Sequence, residues 1–88
     1  MRLVHNTLHE DTVFKNLVFI DEQLKNVEFE NCSFESCDFS STIFHSCSFI
    51  ATTFHQCNLA MAKVINSKLS EVSFTDCKLL GIPFKRQR

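Results

Sequence analysis

Phenylalanine falls at positions 14, 19, 29, 34, 39, 44, 49, 54, 74 and 84, every interval a multiple of five. The vacant teeth of that comb, 24, 59, 64, 69 and 79, hold Leu24, Leu59, Val64, Leu69 and Leu79, so fifteen consecutive slots are large and apolar. A second comb stands two residues before each slot: Thr12, Leu17, Glu22, Val27, Cys32, Cys37, Thr42, Cys47, Thr52, Cys57, Ala62, Ser67, Val72, Cys77 and Ile82. All five cysteines sit in it.

A period of five suits neither regular element. Five residues turn an α-helix by about 500°, so large residues would step ~140° and smear around the cylinder. Along one straight strand they would alternate between two faces. Within each five, however, the small and the large residue are two apart and share a face, as in a short piece of strand. The chain must then turn a corner and begin again. A backbone that bends every five residues winds into a solenoid, with the two combs facing the axis and the other positions facing water. Nine of the ten acidic residues lie outside the combs, as do the lysines and arginines.

Segments such as Asn31-Cys32-Ser33-Phe34-Glu35, Ser36-Cys37-Asp38-Phe39-Ser40 and Gln56-Cys57-Asn58-Leu59-Ala60 resemble the pentapeptide repeat family. That resemblance covers Thr12 to Arg86 and implies an all-β fold, a right-handed quadrilateral β-helix of just under four coils. Four sides imply twenty residues per coil. Spacing alone leaves this open: twenty stacks Cys37, Cys57 and Cys77, whereas fifteen aligns Cys32 with Cys47. The expected organisation is a lead-in or cap over residues 1–11, a solenoid over 12–86 and a tail at 87–88. Leu3 and Leu8 are one residue out of phase with the comb, so the lead-in is expected to join the first coil through a bulge between Glu10 and Val13. Glu22 is the one charged residue in the combs, and a local irregularity is expected to let its carboxylate reach water.

The expected core comprises Phe14, Phe19, Phe29, Phe34, Phe39, Phe44, Phe49, Phe54, Phe74 and Phe84 with Cys32, Cys37, Cys47, Cys57 and Cys77. Thiols packed inward without a Cys-x-x-Cys pair offer no tetrahedral zinc site, so no metal is expected and the cysteines read as reduced packing residues. His45 and His55 project outward with no outward cysteine beside them, and the only glycine is Gly81. No nucleophile–base pair and no phosphate loop is therefore foreseen. The reading is of a non-enzymatic chain without a cofactor. No apolar run spans a bilayer or forms the core of a signal peptide, so a cytoplasmic protein without membrane contact is expected.

Charge is uneven. Residues 1–44 carry eight acids and three bases, a net of −5, and residues 45–88 carry two acids and six bases, a net of +4. In a solenoid sequence order is height, which makes an acidic foot and a basic head. At spacing twenty Ile20, Ala60 and Leu80 form an outward apolar column with Met61 beside it and Ile43 around the corner, a candidate face for an unidentified protein partner. At the head, Leu69, Phe74, Leu79 and Phe84 form a last core layer that Lys85–Arg88 are too short to cover, and with Leu80 and Ile82 they make the candidate dimer interface. A C-terminal end left uncapped or closed by a homodimer is expected there. The function expected is a self-associating protein-binding module. An alternative comes from the quinolone-resistance branch of the family, which this chain resembles in placing Cys or Ser before an inward Phe. That resemblance would imply a DNA mimic that engages type II topoisomerases, which requires acid along most of the rod. Direct nucleic-acid binding is not expected, because no outward aromatic residue is available to stack on bases.

Overall fold

The computed structural model describes residues 6–80. Eleven strands of three residues follow one another: β1 Leu8–Glu10, β2 Val13–Lys15, β3 Gln23–Lys25, β4 Glu28–Glu30, β5 Ser33–Glu35, β6 Ile43–His45, β7 Ser48–Ile50, β8 Thr53–His55, β9 Lys63–Ile65, β10 Lys68–Ser70 and β11 Ser73–Thr75. No helix occurs among the described residues. The strands assemble into three parallel sheets, β1-β4-β7-β10, β2-β5-β8-β11 and β3-β6-β9. Between the second and third runs a fourth side, held by single-residue bridges, stacks Val18, Asp38, Asn58 and Lys78. Every pairing is offset by twenty residues, as in Phe14↔Phe34, Phe34↔Phe54 and Phe54↔Phe74. The chain is thus a four-sided β-solenoid, whose coils are counted here from residues 7, 27, 47 and 67. Twenty rather than fifteen is the repeat, a choice that spacing alone left open.

Corners explain why the chain can turn every five residues. Asn6, Asp11, Asn16, Asp21, Asn26, Asn31, Ser36, Ser41, Ser46, Ala51, Gln56, Met61, Asn66, Glu71 and Asp76 all lie in the left-handed region, with φ between 48° and 62°. From Asp11 onward each stands two residues after a residue of the inward comb. Side chains there crowd the backbone, a cost that Asn and Asp meet best, and eight of these fifteen corners carry one. Corner amides are also used across coils: Asp11 N–H donates to Glu30 O at 3.0 Å and Ser36 N–H to His55 O at 2.9 Å. At two of these corners side chains stack as well, Asn31 Nδ2 donating to Asp11 Oδ1 at 2.7 Å and Asn26 Nδ2 to Asn6 Oδ1 at 3.1 Å.

The core is the Phe ladder with the small comb packed between its rungs. Phe14, Phe29, Phe34, Phe39, Phe44, Phe49 and Phe54 are buried together with Cys32, Cys37, Cys47 and Cys57. Rings stack between coils, Phe14 on Phe34 at 4.8 Å and Phe34 on Phe54 at 4.9 Å, and meet edge to face within a coil, Phe29 on Phe34 at 5.1 Å. Offset and perpendicular contacts of this kind add about 0.5–1.5 kcal/mol each beyond the area buried. Phe19, Phe74 and Cys77, in the outermost coils, are half-buried, and Ile82 and Phe84 lie outside the described residues.

Two expectations at the N-terminal end need correction. No bulge separates Glu10 from Val13: Leu8 points outward, half exposed, and His9 occupies the inward slot in register with Phe29. The five-residue geometry already operates at Thr7 and His9, because Asn6 and Asp11 make the same left-handed corners as the residues above them. The backbone is regular at Glu22 too, where Ile43 N–H donates to Glu22 O at 2.9 Å. Its carboxylate is exposed without any local distortion.

Candidate functional surface

The inward small comb has a role beyond packing. Most of its hydroxyls and thiols lie within reach of two backbone carbonyls, one 2 residues and one 23 residues earlier in the chain, between which the single O–H or S–H hydrogen is shared. Thr52 Oγ1 reaches Ile50 O at 3.0 Å and Phe29 O at 3.4 Å, Cys57 Sγ reaches Phe34 O at 3.3 Å and His55 O at 3.5 Å, and Ser67 Oγ reaches Ile65 O at 2.9 Å and Phe44 O at 3.3 Å. Thr42 makes the same bond to Phe19 O. Among the described residues no buried side-chain nitrogen or oxygen is left without a partner. Packing arguments read from the sequence missed this, although the recurrence of Cys, Ser and Thr, each small and each a donor, was the available signal.

Burial raises the thiols of Cys32, Cys47 and Cys77 above their ordinary value. In the Cys37–Cys57 pair, the neighbouring thiol lowers Cys37 and raises Cys57. All five sulfurs are free thiols. No group of three or more His, Cys, Asp and Glu side chains among the described residues is arranged to hold a metal ion.

The histidines are separated. His45 is on β6, its Nδ1 3.1 Å from Ser46 Oγ, and His55 is on β8, on a different side of the rod. His9 is part of the aromatic ladder instead, stacked on Phe29 at 5.4 Å and edge to face with Phe14 at 5.3 Å. Its place in the comb was legible; its neighbours were obscured by the assumed change of phase.

The residues of the expected apolar column stack at spacing twenty, with the polar Ser40 between Ile20 and Ala60. Asp21 N–H bonds Ser40 O, Ser41 N–H bonds Ala60 O and Met61 N–H bonds Leu80 O at 3.0, 2.9 and 2.9 Å, which sets Ile20, Ser40, Ala60 and Leu80 one above another on the bridge-held side. Ile20, Met61 and Leu80 are 46%, 59% and 76% exposed. Val18 is also exposed on this side and Ile65 on the next, on β9; neither was foreseen. Ile43 lies on β6, around the corner and half-buried. The polar groups at the centre of the face are turned back on their own chain: Asp38 Oδ1 accepts Ser40 N–H and Asn58 Oδ1 accepts Ala60 N–H, both at 3.0 Å.

At the head of the rod the core layer opens. Leu69 is 38% exposed, whereas Phe49 directly beneath it is 2% exposed. Phe74 and Leu79 are half-buried, whereas Phe54 and Leu59 below them are buried. Charge follows height as expected, with Glu10, Glu28 and Glu30 clustered on β1 and β4 and Lys63, Lys68 and Lys78 on the upper coils. Like charges oppose directly at Glu10↔Glu30, while Lys15 Nζ lies 4.0 Å from Glu35 Oε1.

Three comparisons bear on this geometry. No curated protein matches the chain. Among solved structures, full-length QnrB1, described as a plasmid-mediated fluoroquinolone resistance protein, aligns at 19% identity and a TM-score of 0.44, covering 85% of this chain and 50% of QnrB1. A trypsin-treated form of QnrB1 aligns at 14% identity and a TM-score of 0.40, covering 92% of this chain and 70% of that one. This chain thus spans half the length of the full-length protein it matches. The family model for the pentapeptide repeat region matches residues 27–87. With the five-residue comb, the left-handed corners and the twenty-residue register already established, this match places the chain in the pentapeptide repeat family.

Proposed function

We propose that the chain is a non-catalytic protein-binding module that also associates with itself through its C-terminal coil. One observation carries this reading: in a solenoid whose middle coils are sealed, Leu69, Phe74 and Leu79 leave the last described layer of the core partly open. Covering that layer with an identical one removes apolar surface from water at roughly 25 cal/mol per Å² and continues the core without new chemistry. The apolar column of Ile20, Ala60, Met61 and Leu80 is then left for a different protein. Support for the absence of catalysis comes from the thiols, which donate into the core instead of facing a base.

Topoisomerase binding by DNA mimicry is the weaker reading, since eight of the ten carboxylates lie in residues 1–44 and six of the nine bases in residues 45–88. Light scattering at micromolar concentration tests the self-association. A dimeric mass that becomes monomeric in Leu69→Asp and stays dimeric in Ile20→Asp supports the C-terminal seam. A monomeric wild type, or a dimer unaffected by Leu69→Asp, refutes it. Capture from a native lysate that is lost in Ala60→Arg supports the apolar column as the partner face; capture unaffected by that change moves the partner elsewhere.

A further inference from the structure

Three of the thiols form a continuous ladder on the bridge-held side. Cys37, Cys57 and Cys77 are twenty residues apart, and the residues that follow them, Asp38, Asn58 and Lys78, pair directly between coils. Each thiol donates to the inward carbonyl of the coil below, to Phe14 O, Phe34 O and Phe54 O at 3.6, 3.3 and 3.2 Å. Cys57 thus sits above Cys37, and Cys77 above Cys57, in one inward column. Cys32 and Cys47 have no such neighbour: the next coil puts Thr52 over Cys32, and Ser67 Oγ accepts Cys47 N–H at 3.0 Å.

In the monomer the ladder is closed at one end and open at the other; the C-terminal seam proposed above would cover Cys77, so the site belongs to the monomeric form. Cys37 and Cys57 are each 2% exposed, whereas Cys77 is half-buried. Neighbouring coils at strand spacing, ~4.8 Å, bring the paired Cα atoms within the disulfide range of about 4.4–6.8 Å. We infer that Cys57 and Cys77 are an oxidation site, at which a hydroperoxide converts the two thiols to a disulfide that staples the third coil to the fourth.

The chemistry balances in two steps. A hydroperoxide meets Cys77, its O–O bond breaks, a sulfur–oxygen bond forms, and an alcohol or water leaves with the thiol proton. The Cys57 sulfur then attacks the Cys77 sulfenic acid, the sulfur–oxygen bond breaks, and water leaves with the Cys57 proton. The two thiols supply both electrons that reduce the peroxide. Burial raises the Cys77 thiol, so the first step is slow. The second is intramolecular between thiols on adjacent coils of one column, so it outruns oxidation to the sulfinic acid.

The full chain, diluted until light scattering reads a monomer, is treated with hydrogen peroxide; mass spectrometry and reduction with dithiothreitol then test the site. The expected product is lighter by two hydrogens, melts about 5 °C higher and reverts on reduction. It should form in Cys37→Ser and Cys47→Ser and be absent from Cys57→Ser and Cys77→Ser. Serine is tolerated at these slots, as Ser67 makes the same pair of carbonyl bonds, and circular dichroism verifies that each variant is folded. A disulfide that persists in Cys77→Ser, accumulation of sulfinic acid on Cys77, or no product in the folded wild type would each overturn the assignment.

Discussion

At the scale of single residues, two positions in each five do unusual work, and neither is the phenylalanine. The corner residue lies in the left-handed region, a conformation that costs most side chains about 1–2 kcal/mol and that Asn tolerates. Ala51 occupies such a corner with φ 50°, directly between Asn31 and Glu71. Ala51→Asn should therefore stabilise the fold by about 0.5 kcal/mol or more, read as a higher denaturant midpoint. Thr52, fully buried, donates to Phe29 O and Ile50 O. Thr52→Val keeps the shape and removes the donor, so it should cost about 1–3 kcal/mol. The buried thiols add a pH dependence. Unfolded, they lose protons near the ordinary value of 9.0; folded, burial holds Cys32, Cys47 and Cys77 above it. Their contribution is full below that pH and is lost as the pH rises past it. Denaturant midpoints should fall between about pH 8 and about pH 10, and less steeply in Cys47→Ser.

At the scale of elements, a strand of three residues is far too short to be stable alone, and each here exists because strands twenty residues away flank it. The ladder of rings supplies the cohesion, and it is graded by position. Phe39 is buried between coils, while Phe19 below it is half-buried and its ring lies 6.1 Å away at a tilt. Phe39→Ala and Phe34→Ala should each cost about 3–5 kcal/mol. Phe19→Ala should cost measurably less, since less apolar surface is lost from cover. Urea denaturation of the three variants checks the order. Equal losses would mean that the first coil is covered as well as the second.

At the scale of the molecule, the polarity of charge decides how self-association responds to salt. Joining two heads by a two-fold axis brings Lys68 and Lys78 of one copy near those of the other. Salt screens such exposed charges over about 10 Å at 0.1 M. The proposed dimer should therefore tighten as salt is raised from low ionic strength, measured by sedimentation equilibrium. Stacking foot to head has the opposite sign, because acid meets base and salt weakens it. A mass that grows with concentration and shrinks with salt would identify that open stack instead.

The periodicity in the sequence was sufficient for the solenoid, because only a backbone that turns every five residues can face fifteen large slots inward. Which residues form the core followed from the same comb, and so did the apolar column once twenty was taken as the repeat. The number of sides did not follow. It depends on how far the chain turns at each left-handed corner, and composition records only a preference for Asn and Asp there. Nor could the combs reveal which carbonyls the small residues would meet, because those partners lie on a neighbouring coil and are fixed only when coils stack in register. The same holds for the regular first coil around His9 and for the burial of Cys37 and Cys57, each covered by a coil stacked above it.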